Sequence, residues 1–271
     1  MKWDVMTCAY AARGGHLEVL RWARENGCGW DKETCSQAAR GGHLDVLVWA
    51  RENGCPWDET TCGYAALGGQ LEALQWARAN GCPWDIWTSS WAAGAGHLEA
   101  LRWAHKNGCE WNDRTSSLGA RSGNLQLLKF LQGAGCPFSC PETCSVAASR
   151  GHLHILRWLR EQGYSWDRWT CAAAADGGHL EVLQWARDHG CPWDEMTCAL
   201  AASGGHLDVL VWARENGCPW DDQTCQEAKA GAHFEVFQWA LEHGCPWHSD
   251  GRDEEEEGGR YSATVLSQHY G

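Results

Sequence analysis

Residues 193–219 read WDEMTCALAASGGHLDVLVWARENGCP. The same unit, approximately W-D-x-x-T-C-x-x-A-A-x-x-G-H-L-E-V-L-x-W-A-x-x-N-G-C-P, is copied along the chain. Its Thr recurs as Thr7, Thr34, Thr61, Thr88, Thr115, Thr143, Thr170, Thr197 and Thr224, at intervals of 27 residues with a single interval of 28. Self-similarity at such a period marks a stacked repeat architecture, and it overrides any reading of the 271 residues as one or two globular cores.

Each half of the unit carries helix signals. In the copy at 31–54, Asp31 is placed to accept hydrogen bonds from the next backbone N–H groups as an N-cap, and Lys32 to Arg40 follow without Gly or Pro. Gly41 and Gly42 then stop a helix of about two turns. Equivalent acids stand at Asp4, Asp58, Asp85, Asp167, Asp194 and Asp221. In the second half Leu44, Leu47 and Ala50, with Val46 and Trp49 beside them, form one apolar helix face that ends at Gly54. The Pro of the C-P-W connector prevents continuation. Leucine-rich repeats have periods of about 20 to 29 residues, but they need an alternating L-x-L strand. No segment here alternates, and Ala, Leu, Glu and Arg favour helix. The expectation is an all-α solenoid of stacked helix-turn-helix repeats, about nine of them over residues 3–247, irregular at 138–143 where one inserted residue falls beside Cys140-Pro141.

The core A-A-x-x-G-H-L-E-V-L-x-W-A-x-x-N-G-C resembles that of the ankyrin-repeat family, in which a Gly-His step opens the second helix and a Gly-Ala step closes it. From His16 to Gly27 the spacing agrees with that family, with Cys28 in place of its usual Ala. Against a repeat of about 33 residues, roughly six are missing between Asp31 and Thr34, where the family carries a β-hairpin finger. The family's Thr-Pro-Leu-His signature is reduced to Thr-Cys, so the bonds of that His do not transfer. The resemblance is thus to a short, fingerless variant, and it implies a binding scaffold whose first helices line a concave side.

Seventeen of the 20 Trp fall into two ladders. One lies in the connector: Trp3, Trp30, Trp57, Trp84, Trp111, Trp166, Trp193, Trp220 and Trp247. The other lies in the second helix: Trp22, Trp49, Trp76, Trp103, Trp158, Trp185, Trp212 and Trp239. Phe138 and Phe130 fill the gaps. A residue type needed in every repeat points to core packing, at about 200 Å² and at most roughly 5 kcal/mol per buried ring. Fifteen of the 16 Cys form ladders after the Thr and after the Gly. Ser89 and Ser116 replace Cys while Cys82 and Cys109 stay, and Tyr164 leaves Cys144 and Cys171 intact, so the ladders read as free buried thiols in a reducing compartment. No C-x-x-C occurs, and His16, His43 and His97 are replaced elsewhere by Gln70 and Asn124, a swap that metal ligands would not tolerate. No nucleophile elbow, phosphate loop, H-E-x-x-H or calcium loop is present. Neither a catalytic role nor a cofactor is expected.

The formal net charge of −13, with no basic stripe, argues against nucleic acid. No apolar run approaches the roughly 20 residues of a membrane span, and Met1 to Tyr10 lacks a signal-peptide layout, so an intracellular, cytoplasmic monomer is expected. Recognition then belongs where the copies differ: at the residue before each Thr and the one three after it, four apart on one face of the first helix. That stripe reads Met6 and Tyr10, Glu33 and Gln37, Thr60 and Tyr64, Trp87 and Trp91, Arg114 and Leu118, then Glu142 and Val146, Trp169 and Ala173, Met196 and Leu200, Gln223 and Glu227. Trp87, Trp91 and Arg114 are its centre, because aromatic and Arg anchors dominate interface hot spots. The expected function is a scaffold for a protein partner. Two alternatives stand: a thiol redox or zinc protein centred on Cys136, Cys140 and Cys144, and a substrate-recognition fragment of a larger adaptor, since the chain opens on the repeat with no polar capping unit. Residues 248–271 read as an acidic, disordered tail, with Tyr261 to Tyr270 a candidate cap over Phe234 and Phe237.

Overall fold

The computed structural model describes residues 4–247. The tail, its suggested cap and Trp3 lie outside the described residues. Eighteen helices and no strand occupy the described part. The first helices are α1 (Val5–Arg13), α3 (Lys32–Gly41), α5 (Glu59–Leu67), α7 (Ile86–Gly94), α9 (Asp113–Arg121), α11 (Glu142–Ser149), α13 (Arg168–Asp176), α15 (Glu195–Ser203) and α17 (Asp222–Ala230). The second helices are α2 (Leu17–Glu25), α4 (Leu44–Glu52), α6 (Leu71–Ala79), α8 (Leu98–Lys106), α10 (Leu125–Gly133), α12 (Leu153–Glu161), α14 (Leu180–Asp188), α16 (Leu207–Glu215) and α18 (Phe234–Glu242). The architecture is a two-layer helical solenoid.

The caps form as the spacing predicts. Asp31 accepts the N–H of Glu33 at 3.0 Å and Asp58 that of Thr60 at 3.0 Å, satisfying donors that the first turn leaves orphaned. After α3, Gly42 turns the chain at φ 75°, a left-handed conformation that only glycine adopts freely. The second helix α4 stops two residues before Gly54, at Glu52. The inserted residue is absorbed in the turn before α11, which starts at Glu142 without a side-chain cap. No helix among the described residues is long and apolar enough to cross a membrane.

From α3 to α15 each first helix buries its Thr, the residue after it and an Ala pair or its equivalent, as in Thr34, Cys35, Ala38 and Ala39. These small side chains let neighbouring first helices approach closely all along the array, whereas the Leu- and Trp-bearing second helices stand further apart. Unequal spacing bends a stack towards its tighter layer, so the first helices form the inner, concave layer. Between the layers lie Leu47, Leu74, Leu101, Leu128, Leu156, Leu183 and Leu210, all fully buried.

The His ladder cross-links successive repeats. His43 Nε2 lies 3.0 Å from the carbonyl oxygen of Arg13, and His206 Nε2 lies 3.0 Å from that of Asp176, each on the last turn of the preceding first helix. Asn124 does the same by donating to the Gly96 carbonyl at 3.1 Å, while Gln70 donates only to Gly68 in its own repeat. All 16 cysteines are free and all but Cys140 are buried. The thiol after each Gly ties the end of one repeat to the cap that opened it, as Cys55 donates to the carbonyl of Asp31 at 3.3 Å and Cys218 to that of Asp194 at 3.3 Å.

The tryptophan ladders pack against the core but stay partly open to solvent. Apart from Trp158, the ladder indoles are half-buried or, at Trp22, exposed, and they brace the outer face. Trp57 sits edge-on to Trp76 at 5.9 Å, and the Arg51 guanidinium lies 4.0 Å above the Trp57 ring. Because Arg51 belongs to one repeat and Trp76 to the next, the connector indole is a rivet between them. The same set recurs as Arg24–Trp30–Trp49, Arg78–Trp84–Trp103, Arg187–Trp193–Trp212 and Arg214–Trp220–Trp239.

Candidate interaction surface

The inner layer of first helices is sealed by small side chains at and around the ladder Thr and opens at the positions flanking them. In α3 the run from Thr34 to Ser36 is buried, as are Ala38 and Ala39, while Glu33, Gln37 and Arg40 are half-buried and Lys32 is exposed. Thr60 with Tyr64 and Met196 with Leu200 are likewise half-buried, each pair enclosing three sealed residues. Met6 is 41% exposed, Tyr10 63%, Trp87 38% and Trp169 45%, and Arg114 is exposed as well. Every described position of this variable stripe is therefore at least partly accessible.

In the middle of the array these side chains join into one surface. Tyr64 and Trp91 stack at 5.4 Å with an interplanar angle of 30°, and Trp91 meets Trp87 at 6.3 Å. The Arg114 guanidinium lies 5.2 Å above Trp87, and Arg40 lies 5.7 Å above Tyr64. Gly63 makes room for this arrangement, since a Cβ there would stand 2.6 Å from the Trp91 ring. Leu118 is half-buried against Gly94 at the far edge. Outside this centre the stripe is discontinuous: Glu33 accepts a hydrogen bond from Gln37 at 2.6 Å, and Trp169 has Arg168 over its ring at 5.6 Å.

A cleft of about 380 Å³ opens beside the paired indoles, lined by Glu59, Thr60, Asp85, Trp87 and Trp91. Sequence reasoning missed Glu59 and Asp85 as surface residues. The residue two before each Thr also varies between copies, as Val5, Lys32, Glu59, Ile86, Asp113, Pro141, Arg168, Glu195 and Asp222, and that variation was the available signal. One repeat away from the cleft, burial pushes the Asp58 carboxyl up, yet hydrogen bonds from Lys32 and Thr60 outweigh it and hold Asp58 below the usual range.

The cysteines around the irregular repeat offer little chemistry. Burial pushes the Cys136 and Cys144 thiols up to about 12 and raises Cys140 as well, the reverse of what a nucleophilic or metal-binding thiol requires. Among the described residues no group of three or more His, Cys, Asp or Glu side chains is arranged to hold a metal ion. No family model matches the chain, and neither does any curated protein.

Proposed function

We propose that this chain is an ankyrin-like interaction scaffold that holds a protein partner along its concave helical layer, acts as a monomer in the cytoplasm and has no catalytic role of its own. The observation that carries this reading is the coincidence of variation with access: side chains that differ in size and charge from copy to copy stand at open positions, while the sealed positions between them hold only small residues, Thr, Cys, Ser, Ala or Gly. Packing alone gives no reason for one inner helix to carry two indoles, Trp87 and Trp91, on this stripe where each of the others carries one aromatic ring or none. Large, half-open aromatic rings already held in place by neighbours lose little side-chain entropy on binding, which is how a few residues come to dominate an interface.

Affinity capture from the native cell, comparing the natural chain with Trp87→Ala and with Trp87→Ala/Trp91→Ala, tests the reading. The single change should weaken partner recovery about tenfold or more, corresponding to at least ~1.4 kcal/mol, while circular dichroism and Tm stay close to those of the natural chain. Undiminished recovery with the double variant would rule out this surface as the docking site.

A further inference from the structure

The side chain two before a ladder Thr can reach the capping carboxylate of the following repeat. In two places it is a cation and the two are bridged: Lys32 Nζ lies 2.5 Å from Asp58 Oδ2, and Arg168 Nη1 lies 3.0 Å from Asp194 Oδ2. Between α5 and α7 the same two positions are Glu59 and Asp85. Two carboxylates therefore flank a place where other repeats seat an ammonium or a guanidinium. Among the described residues no Lys, Arg or His nitrogen is ion-paired with either. This place is the cleft whose remaining walls are Thr60 and the indoles of Trp87 and Trp91. Two acids and two aromatic faces form a negative, partly dehydrated recess, matched by a cation carried on an apolar stem. The positive end of α7 is no obstacle, because Asp85 already accepts the Trp87 N–H at 2.9 Å, and a cation sits at the equivalent end of α5 on Asp58.

Building on the scaffold reading, we propose that the Glu59–Asp85–Trp87–Trp91 cleft seats a lysine or arginine side chain from a basic segment of the protein partner, supplying from outside the cation that Lys32 and Arg168 supply from within. Charge complementarity favours this occupant, since the chain carries a formal net charge of −13. The molecule also contains its own comparison. Glu195 and Asp221 repeat the pair of acids, with Gln223 and Glu227 standing where the indoles would be. If negative charge alone recruited the partner, that second place would serve as well or better. Arg114, over the Trp87 ring, opposes an incoming cation, so removing its charge should help a basic ligand and harm an acidic one.

The test is fluorescence anisotropy of dye-labelled tetralysine and tetraarginine titrated with the full chain at physiological ionic strength. Glu59→Gln/Asp85→Asn, which keeps a capping side chain at position 85, should weaken binding about tenfold, or ~1.4 kcal/mol. Glu195→Gln/Asp221→Asn, with the same change in net charge, should stay within about twofold of the natural chain. Arg114→Gln should tighten binding. Equal losses in the two double variants, weaker binding with Arg114→Gln, or no binding of either peptide would overturn the cation seat. If a partner is still captured through Trp87 and Trp91 while the peptides fail, the scaffold reading stands and only the cation seat falls.

Discussion

The ladder Thr shows how much depends on a single atom. Its Oγ1 is buried in every repeat from Thr34 onward, but its fate depends on the residue two after the Thr of the preceding repeat. Where that residue is Ser36, Ser90 or Ser117 the hydroxyls pair: Ser36 with Thr61 at 3.3 Å, Ser90 with Thr115 at 3.1 Å and Ser117 with Thr143 at 3.3 Å, whereas Ser145, in the irregular repeat, donates to the Pro141 carbonyl of its own helix at 3.4 Å and leaves Thr170 Oγ1 without a partner. Where it is Ala9, Gly63, Ala172 or Ala199, the oxygens of Thr34, Thr88, Thr197 and Thr224 have no partner. A buried hydroxyl without a partner costs about 1–3 kcal/mol, whereas an apolar group of the same shape costs little. Thr197→Val should therefore stabilise the array by about 1 kcal/mol. Thr115→Val, which also strips the Asn112 N–H of its Oγ1 acceptor at 3.3 Å, should destabilise it by a similar amount. Urea unfolding of the two variants checks both signs, and a loss of stability in Thr197→Val would contradict the account.

At the scale of the element, the connector takes the place that a hairpin would fill in a longer repeat. Trp57 is held from one side by Arg51 of its own second helix, which also donates to the Cys55 carbonyl, and from the other by Trp76 of the next repeat. Trp57→Ala should cost about 3 kcal/mol, and Arg51→Lys, which keeps the charge but loses the flat stacked face, about 1 kcal/mol. Unfolding midpoints that do not move in either variant would show that the rivet contributes nothing to stability. The helices themselves were legible, because Asp caps, paired Gly and the Pro after Cys punctuate each unit locally. The accessible stripe was legible too, since variation among copies in one chain separates packing from the rest. The rivet's partners, the His cross-link and the facing of Glu59 with Asp85 were not, because each joins residues of adjacent repeats at an offset fixed only once the units stack. The ladder Trp are packing residues, as their recurrence implies, but their place on the outer face leaves most of the rings partly open to water.

At the scale of the whole molecule, stability is a sum of like units and their interfaces, so an effect repeated in each repeat accumulates. The thiols are such an effect. Burial holds Cys136 and Cys144 up to about 12, from an ordinary value near 9.0. In pairs such as Cys35 with Cys55, the hydrogen bond between them and then burial raise Cys35, while at Cys55 the hydrogen bonds from Cys35 outweigh burial and lower it. Below the ordinary thiol range both folded and unfolded chains keep these protons and pH has no leverage. Between about 8.5 and 12 the unfolded chain releases protons that the folded array retains at Cys136 and Cys144, so the folded state loses ground as pH rises. Tm should hold steady from pH 7 to about 8 and then fall, and a Cys136→Ala/Cys144→Ala variant should fall less steeply over the same window. Comparing slopes between the two proteins removes the contribution of Lys, Tyr and overall negative charge, which they share. At neutral pH a thiol reagent should label half-buried Cys140 first and the other fifteen only on unfolding. Parallel Tm profiles for the variant and the natural chain would show that these buried thiols do not control the alkaline limit of the fold.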